Sequence, residues 1–233
     1  MPLGVIVNVL SVVTGGFIGS MVGHRLSDAL KRDMTTVFGV CAISMGITSV
    51  VLMKNLPAVI FAVIAGTLTG ILIDLDALIR GKTETLLRKL NPDGNDDTQL
   101  MITALVLFCA SGTGIYGSLA SGMTGDHSIL LAKSVLDFFT AMIFACRLKK
   151  AVMLIAIPQA VIMLLLYFSS RLILPLASDA MIADFKACGG IILIATGFTI
   201  MKVKDIRIVN MLPSMILVMP VSALWMNAVV PLM

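Results

Sequence analysis

The sequence has little charge and few side chains of the kinds that catalyse reactions. Only 13% of its 233 residues are Asp, Glu, Lys or Arg, about half the share of an average soluble domain. It contains no HExxH, GxSxG or P-loop pattern. The only histidines are His24 and His127, and the topology derived below puts them on opposite sides of a membrane. We therefore expect no enzyme, no metal site and no cofactor.

Paired cysteines and a clustered basic patch are also missing. The four cysteines include no CxxC pair and fall in or at the end of apolar segments, which predicts small buried core residues. The net charge of +4 comes from basic residues spread over short loops, which is typical of membrane orientation signals. We therefore expect no nucleic-acid partner.

Long apolar runs dominate the chain. Hydrophobic residues make up 58% of it and the mean hydropathy is +1.04. Apolar runs of about 20 residues are long enough to cross a bilayer as helices. We therefore predict an all-α, polytopic membrane helix bundle, a single integral membrane domain over residues 1–233. Its eight expected transmembrane helices, spans 1 to 8, cover residues 3–23, 34–53, 56–77, 99–121, 129–147, 150–174, 180–201 and 208–230.

Lys and Arg are distributed unequally between the two sides of these spans. Thirteen lie in the loops after spans 1, 3, 5 and 7, whereas the opposite side holds two, Lys54 and Arg171. Cytoplasmic loops carry the excess of positive charge, so both termini should face out. The thirteen are Arg25, Lys31, Arg32, Arg80, Lys82, Arg88, Lys89, Arg147, Lys149, Lys150, Lys202, Lys204 and Arg207.

Two blocks of sequence recur in the same order. VLSVVTGGFIGSMVG at 9–23 is echoed by VLFCASGTGIYGSLASG at 106–122, and a Gly-x6-Gly pair followed by Asn and Leu-Pro occurs in spans 2–3 and again in spans 7–8. Spans 1-2-3 then match spans 4-7-8, with residues 1–79 as the first repeat and 99–233 as the second, into which spans 5 and 6 are inserted. Three spans per copy make the repeat inverted, as in many secondary transporters.

Hydroxyl-rich glycine stretches interrupt spans 1 and 4. We predict that both helices are broken there, because free backbone groups at membrane depth are tolerated beside a wet cavity, and that the breaks form a midplane binding site. The alternative is close helix packing by small residues. The candidate substrate- or ion-binding residues of these stretches are Thr14, Gly15, Gly16, Ser111, Gly112, Thr113 and Gly114.

Lys133 and Asp137 lie four residues apart inside span 5, on one helix face. Charges inside a membrane are costly and are often functional, so both join the candidate site, with a structural ion pair as the alternative. Asp184 and Lys186 of span 7 should lie near the outer interface, and Asp74 and Asp76 should be solvated. The secondary candidates are Asn8, Asp126, Thr140 and Asn210. Asp126 is also suited to capping the start of span 5.

Three segments resemble a known family. SGTGIYGSLASGMTGDHSILLAKSVLDFFTAMIFAC, NMLPSMILVMPVSALW and NVLSVVTGGFIG are similar to the YqgA/YdfK-like family of bacterial inner-membrane proteins, a domain of unknown function. The resemblance extends over essentially the whole chain. It implies a multi-pass protein of the bacterial cytoplasmic (inner) membrane and does not imply a substrate.

Three functions remain open at this stage. We expect a secondary transporter of an ion or small polar metabolite, embedded in the lipid bilayer, with its site between the glycine-rich breaks. An oligomeric ion channel is an alternative that needs a continuous polar stripe, and a non-transport membrane scaffold is the third. Helices with many small residues also allow a homo-oligomer.

Overall fold

The computed structural model of the chain is helical and describes residues 1–22, 27–90, 96–109, 111–173, 175 and 177–232. His24 and Arg25 lie outside these ranges. No strand occurs within them, in agreement with the predicted helix bundle. The described helices are α1 (Leu3–Val22), α2 (Asp28–Val50), α3 (Leu56–Leu72), α4 (Leu75–Leu90), α5 (Asp96–Cys109), α6 (Gly112–Thr124), α7 (Ser128–Leu148), α8 (Val152–Ile173), α9 (Asp179–Ile200) and α10 (Pro213–Leu224).

Helix ends follow recognisable local signals. Pro57 and Pro213 lie in the first turns of α3 and α10, where a missing N–H costs nothing. The Ser178 hydroxyl accepts a hydrogen bond from the N–H of Met181 and caps α9. Gly125 ends α6 in the left-handed region, at φ 72°, which a residue without Cβ adopts most easily.

The first of two compact units comprises Met1–Thr36 and Leu78–Leu172. In it α1 runs parallel to α7, since Gly15 lies on the carbonyl of Phe138 and Gly19, one turn on, lies on that of Met142. A side chain at either glycine would collide with α7 backbone, so these glycines allow the close approach that small residues give membrane helices. Helix α8 folds back antiparallel along α7, since Gln159 contacts Asp137 and Met163, one turn on, shares a buried cluster with Leu130.

The second unit comprises Val37–Ala77 and Ile173–Met233. Its helices α2 and α9 cross antiparallel at two glycine pairs. A Cβ on Gly46 would lie 2.6 Å from the carbonyl oxygen of Gly190, and a Cβ on Gly197 would lie 2.6 Å from that of Gly39. Helices α3 and α10 are also antiparallel, with Gly66 against Ser214 at one point of contact.

Five described helical stretches are long and apolar enough to cross a membrane, or six if α3 and the start of α4, which are bent by 51°, form one span. One of the five, Ser128–Ser170, has 43 residues. As one straight α-helix it would measure about 64 Å, twice the roughly 30 Å thickness of the hydrocarbon core of a bilayer. It contains α7 and α8, joined by a 3-10 turn at Lys149–Ala151. The count of eight stays a prediction.

The two predicted helix breaks have different outcomes. The break in span 1 is wrong, because α1 continues through Thr14, Gly15 and Gly16 without interruption. The packing alternative explains these glycines. The break in span 4 is confirmed, because α5 ends at Cys109 and α6 begins at Gly112, with Ser111 extended at φ −72° and ψ 137°.

Candidate functional site

The Lys133 and Asp137 side chains form an ion pair inside the first unit. The Lys133 Nζ lies 2.7 Å from Asp137 Oδ1 and 2.6 Å from Oδ2. Their spacing of four residues places both on one face of α7. The residues are only 2% and 7% exposed. Two opposite charges are thus held together away from water, where each one alone is costly.

Two neutral amides from other helices complete the cluster. Asn8 of α1 donates from Nδ2 to Asp137 Oδ2 over 2.9 Å. Gln159 of α8 donates from Nε2 to Asn8 Oδ1 over 2.8 Å and to Asp137 Oδ2 over 3.1 Å. Both amides are fully buried. We refer to Asn8, Lys133, Asp137 and Gln159 as the polar cluster.

The break between α5 and α6 lies beside Lys133. Ser111 caps α6, because its Oγ accepts the N–H of Gly114 over 3.1 Å. A Cβ on Gly114 would lie 3.1 Å from Lys133 Cε, so the absence of a side chain there leaves room for the lysine stem. The Lys133 Nζ lies 5.9 Å from the centre of the Phe108 ring, within the range of a cation–π interaction.

One acceptor in the polar cluster is unused. Gln159 Oε1 is buried and has no hydrogen-bond partner among the described residues. Turning the amide over does not help, because Nε2 already donates to the oxygens of Asn8 and Asp137, and an oxygen in that position would face two acceptors. A buried acceptor without a donor is unfavourable. The cluster therefore has capacity for one further donor.

The structure brings together only part of the predicted site. Lys133, Asp137 and Asn8 meet, and Ser111, Thr113 and Gly114 adjoin them at the start of α6, where Gly112 is the first residue. The Thr113 Oγ1 donates to Ser111 Oγ over 3.3 Å. Asn8 joins the site through a hydrogen bond between helices, from α1 to Asp137 of α7.

The span 1 stretch has packing contacts instead. The Thr14 hydroxyl donates to the carbonyl of Leu10 in its own helix, and the residue is exposed. Gly15 lies on Phe138, and Gly16 faces Met153, with 3.1 Å between its ideal Cβ and the Met153 Cγ. None of these described contacts is with a member of the polar cluster.

The secondary candidates lie in different environments. Asp126 is exposed and accepts the N–H of Ser128, the first residue of α7, over 2.9 Å, whereas the N-cap position itself is occupied by His127. Thr140 is half-buried one turn beyond Asp137 on α7. Asn210 belongs to the second unit, where its Oδ1 accepts the N–H of Asp76 over 2.8 Å at the start of α4.

Asp184 of the second unit is a second buried carboxylate that the sequence did not single out. It is fully buried and lies against the loop that joins α2 to α3, so its expected position near the outer interface stays a prediction. Its Oδ1 accepts the N–H groups of Lys54 and Asn55 ahead of α3, over 2.8 and 2.9 Å. Its Oδ2 accepts from Asn55 Nδ2 and Ser222 Oγ, over 2.8 and 2.6 Å.

The two carboxylates differ in what they can still bind. Each oxygen of Asp184 accepts two hydrogen bonds, which use its capacity, and the charge is placed at a helix N-terminus, where it is favoured. Asp184 is a structural anchor. Asp137 has an ammonium as partner, and only one bond is described at its Oδ1, so the polar cluster is the candidate site. Asp76, expected to be solvated, is also buried.

Sequence reasoning missed Gln159. It is a single amide in the apolar helix α8, seven residues after the helix begins at Val152 and directly after Pro158. An amide in the interior of a membrane helix is a signal of the same kind as Asn8. Its partner was not evident, because the contact depends on how α8 folds back along α7.

The known proteins that this chain resembles have no assigned function. A family model described as "Protein of unknown function (DUF554)" matches residues 3–223. The chain is 44% identical over 230 residues to "Uncharacterized protein YqgA" of Escherichia coli, covering 97% of this chain and 98% of that protein. It is 22% identical over 220 residues to "Uncharacterized membrane protein YdfK" of Bacillus subtilis, covering 92% and 93%. No solved structure matches it significantly.

Proposed function

The chain belongs to the DUF554 family of proteins of unknown function, and we propose that it is a secondary transporter whose solute binds at the polar cluster of the first unit. The solute is an ion or a small polar metabolite. The membrane location itself is supported by the apolar helices and by the name of the Bacillus relative.

A buried ion pair beside a helix break is the observation that carries this proposal. A helix bundle held together only by packing has no need of a lysine and an aspartate in its interior, because apolar residues of similar volume give equal or greater stability. Intramembrane charges that face a bundle interior commonly serve a solute pathway. The start of α6 adds N–H groups of the kind that broken helices present to solutes.

The closed state of the cluster favours a transporter over a channel. An open channel lines its pathway with polar groups in contact with water. Here Lys133 is 2% exposed and Asn8 and Gln159 are fully buried. A site closed on all sides has to open towards one face of the membrane at a time, which is the behaviour of an alternating-access carrier.

The packing directions support the eight-span topology. Helix α1 is parallel to α7, α6 is antiparallel to α7, and α2 is antiparallel to α9. These directions follow if the chain crosses the membrane once with each predicted span. With thirteen Lys and Arg on one side, we infer a bacterial cytoplasmic membrane protein with both termini outside. Alkaline phosphatase fused after Met233 should be active, and the same fusion at Lys204 should be inactive.

The inverted repeat gains support from the second unit. There Gly39 of α2 opposes Gly197 of α9, and Gly46 opposes Gly190. The sequence repeat equates Gly39 with Gly190 and Gly46 with Gly197, so exchanging the two helices turns one contact into the other. Such a symmetric antiparallel crossing is expected of an inverted repeat. Spans 1 and 4 contribute less, because only span 4 is broken.

Transport by reconstituted protein tests the proposal. Full-length protein in proteoliposomes should exchange an internal labelled solute for the same solute outside. The double variant Lys133→Met/Asp137→Leu should fold and lose this exchange. The control is Lys204→Met/Asp205→Asn, which removes one lysine and one aspartate from an exposed loop and should keep wild-type exchange.

Three results decide between the functions. Exchange that saturates with solute and depends on the polar cluster supports a carrier. Ion current that does not saturate and persists in the double variant indicates a channel. Absence of any flux for inorganic ions, amino acids and organic acids, with correctly folded protein, indicates a scaffold and refutes the transporter.

A further inference from the structure

The polar cluster has no net charge. It holds one ammonium and one carboxylate, Lys133 and Asp137, together with two neutral amides, and all four residues are at least nine-tenths buried. Adding an ion to a neutral buried cluster leaves an uncompensated charge in a medium of low dielectric constant, which is strongly unfavourable. Adding a molecule with both charges keeps the total at zero.

The cluster also has partners for both charges of such a molecule. On the acceptor side, Gln159 Oε1 has no donor, and Asp137 Oδ1 receives a hydrogen bond only from Lys133 among those described. These oxygens suit a substrate ammonium, which brings three N–H donors. Lys133 already shows that a primary ammonium fits against Asp137 and the Phe108 ring.

On the donor side, Lys133 lies beside the first turn of α6. Gly114, in that turn, is close to its stem. The first N–H groups of a helix have no partner within it and favour negative charge, and here Ser111 Oγ takes that of Gly114. A substrate carboxylate placed between this turn and Lys133 gives the ammonium a new negative counter-charge when it moves away from Asp137.

We infer that the solute is a zwitterionic amino acid, with its ammonium on Asp137 and Gln159 and its carboxylate on Lys133 and the start of α6. This rests on the proposed transporter function and narrows its solute. The amino acid inserts into the Lys133–Asp137 ion pair and supplies each partner with a new counter-charge. Each of the two protein charges has a counter-charge before and after the amino acid binds, and no proton or covalent bond is exchanged.

Thermal unfolding of the purified full-length protein tests the charge requirement. Each proteinogenic amino acid with an uncharged side chain is compared with its amide, which is a cation, and its N-acetyl derivative, which is an anion. A ligand that binds the folded state raises the midpoint temperature. At least one amino acid should do so at a concentration about tenfold or more below that of either derivative, because each derivative leaves a buried charge unpaired.

Single variants should reverse this preference. Lys133→Met leaves the cluster with a negative charge, so the amide should stabilise it more than the amino acid does. Asp137→Leu leaves a positive charge, so the N-acetyl derivative should become the better ligand. Gln159→Met should weaken the amino acid about tenfold. A purely structural Gln159 would change the unliganded midpoint and leave the half-saturating concentration the same.

Failure of this inference differs from failure of the transporter. Equal stabilisation by an amide or N-acetyl derivative, or none by any amino acid, overturns the zwitterion. If proteoliposomes then carry labelled rubidium, sodium or chloride and the flux requires Lys133 and Asp137, the protein is a transporter of inorganic ions. If they carry nothing, the transporter proposal falls as well.

Discussion

Removing the two charges of the polar cluster one at a time should cost much more stability than removing them together. In Lys133→Met, the Asp137 carboxylate keeps two donors, Asn8 at 2.9 Å and Gln159 at 3.1 Å. In Asp137→Leu, the Lys133 ammonium keeps, among the partners that the structure describes, only the Phe108 ring, with 5.9 Å from Nζ to the ring centre. Losing the carboxylate should therefore be the worse of the two changes.

The magnitudes follow from the burial of the pair. Breaking a buried ion pair by removing one partner costs roughly 3–5 kcal/mol. Hydrogen bonds from Asn8 and Gln159, about 1 kcal/mol each or more to a charged group, place Lys133→Met near the lower end and Asp137→Leu near the upper end. The double variant leaves no charge, so its cost should be about 1–3 kcal/mol, from imperfect packing and from the Asn8 amide that loses its acceptor.

The double-mutant cycle is measured by unfolding the purified protein in mixed micelles with increasing SDS. We expect the double variant to be more stable than either single variant, with a coupling energy of roughly 3 kcal/mol or more. Additive costs would contradict a buried pair and show that the two charges do not depend on each other. Equal costs for both single variants would contradict the supporting role of Asn8 and Gln159.

Three further predictions concern the scaffold, each checked by the same unfolding assay. Gly46→Ala should cost about 1–3 kcal/mol, because its Cβ would lie 2.6 Å from the Gly190 carbonyl oxygen, whereas Gly81→Ala has open space and should be neutral or stabilising. Asp184→Asn should cost about 2–3 kcal/mol, because an amide nitrogen would face donors, and the exposed Asp205→Asn should be neutral. Ser111→Ala should cost about 1 kcal/mol through loss of the α6 cap; no change would mean that the break in span 4 does not depend on it.

Much of the fold follows from the sequence. Apolar length predicts helices, and the predicted start of span 3 at residue 56 agrees with α3, whose first turn contains Pro57. The glycine stretches were harder to interpret, because glycine both weakens a helix and lets another helix approach. In α1 the approach of α7 to Gly15 accounts for the glycines, and the helix stays whole. In span 4 the Ser111 hydroxyl caps a new helix.

The candidate site was predictable only as far as one helix carries it. The i to i+4 spacing of Lys133 and Asp137 is a property of α7 alone, and the pair is as expected. The partners Asn8 and Gln159 lie 129 and 22 residues from Asp137 in the sequence. Their contacts depend on the parallel packing of α1 and the return of α8, which no local pattern specifies. The partners of Asp184 were not predictable for the same reason, since Asn55 reaches it from the residue before α3 and Ser222 from α10.

The neutral amides also bear on how the proposed exchange of partners proceeds. When Lys133 leaves Asp137 to meet a substrate carboxylate, the aspartate does not become an isolated charge, because Asn8 and Gln159 still donate to its Oδ2. Both hydrogen bonds are to Oδ2, whereas Oδ1 can still accept hydrogen bonds from a substrate ammonium. The carboxylate can therefore change its counter-ion without being rehydrated.

This predicts that Asn8→Leu slows exchange more than it weakens binding, because the Asn8 amide of the wild type stabilises the unpaired intermediate more than either end state. Exchange rates in proteoliposomes, set beside half-saturating concentrations from thermal unfolding, separate the two effects, and a loss of binding as large as the loss of rate would refute this role.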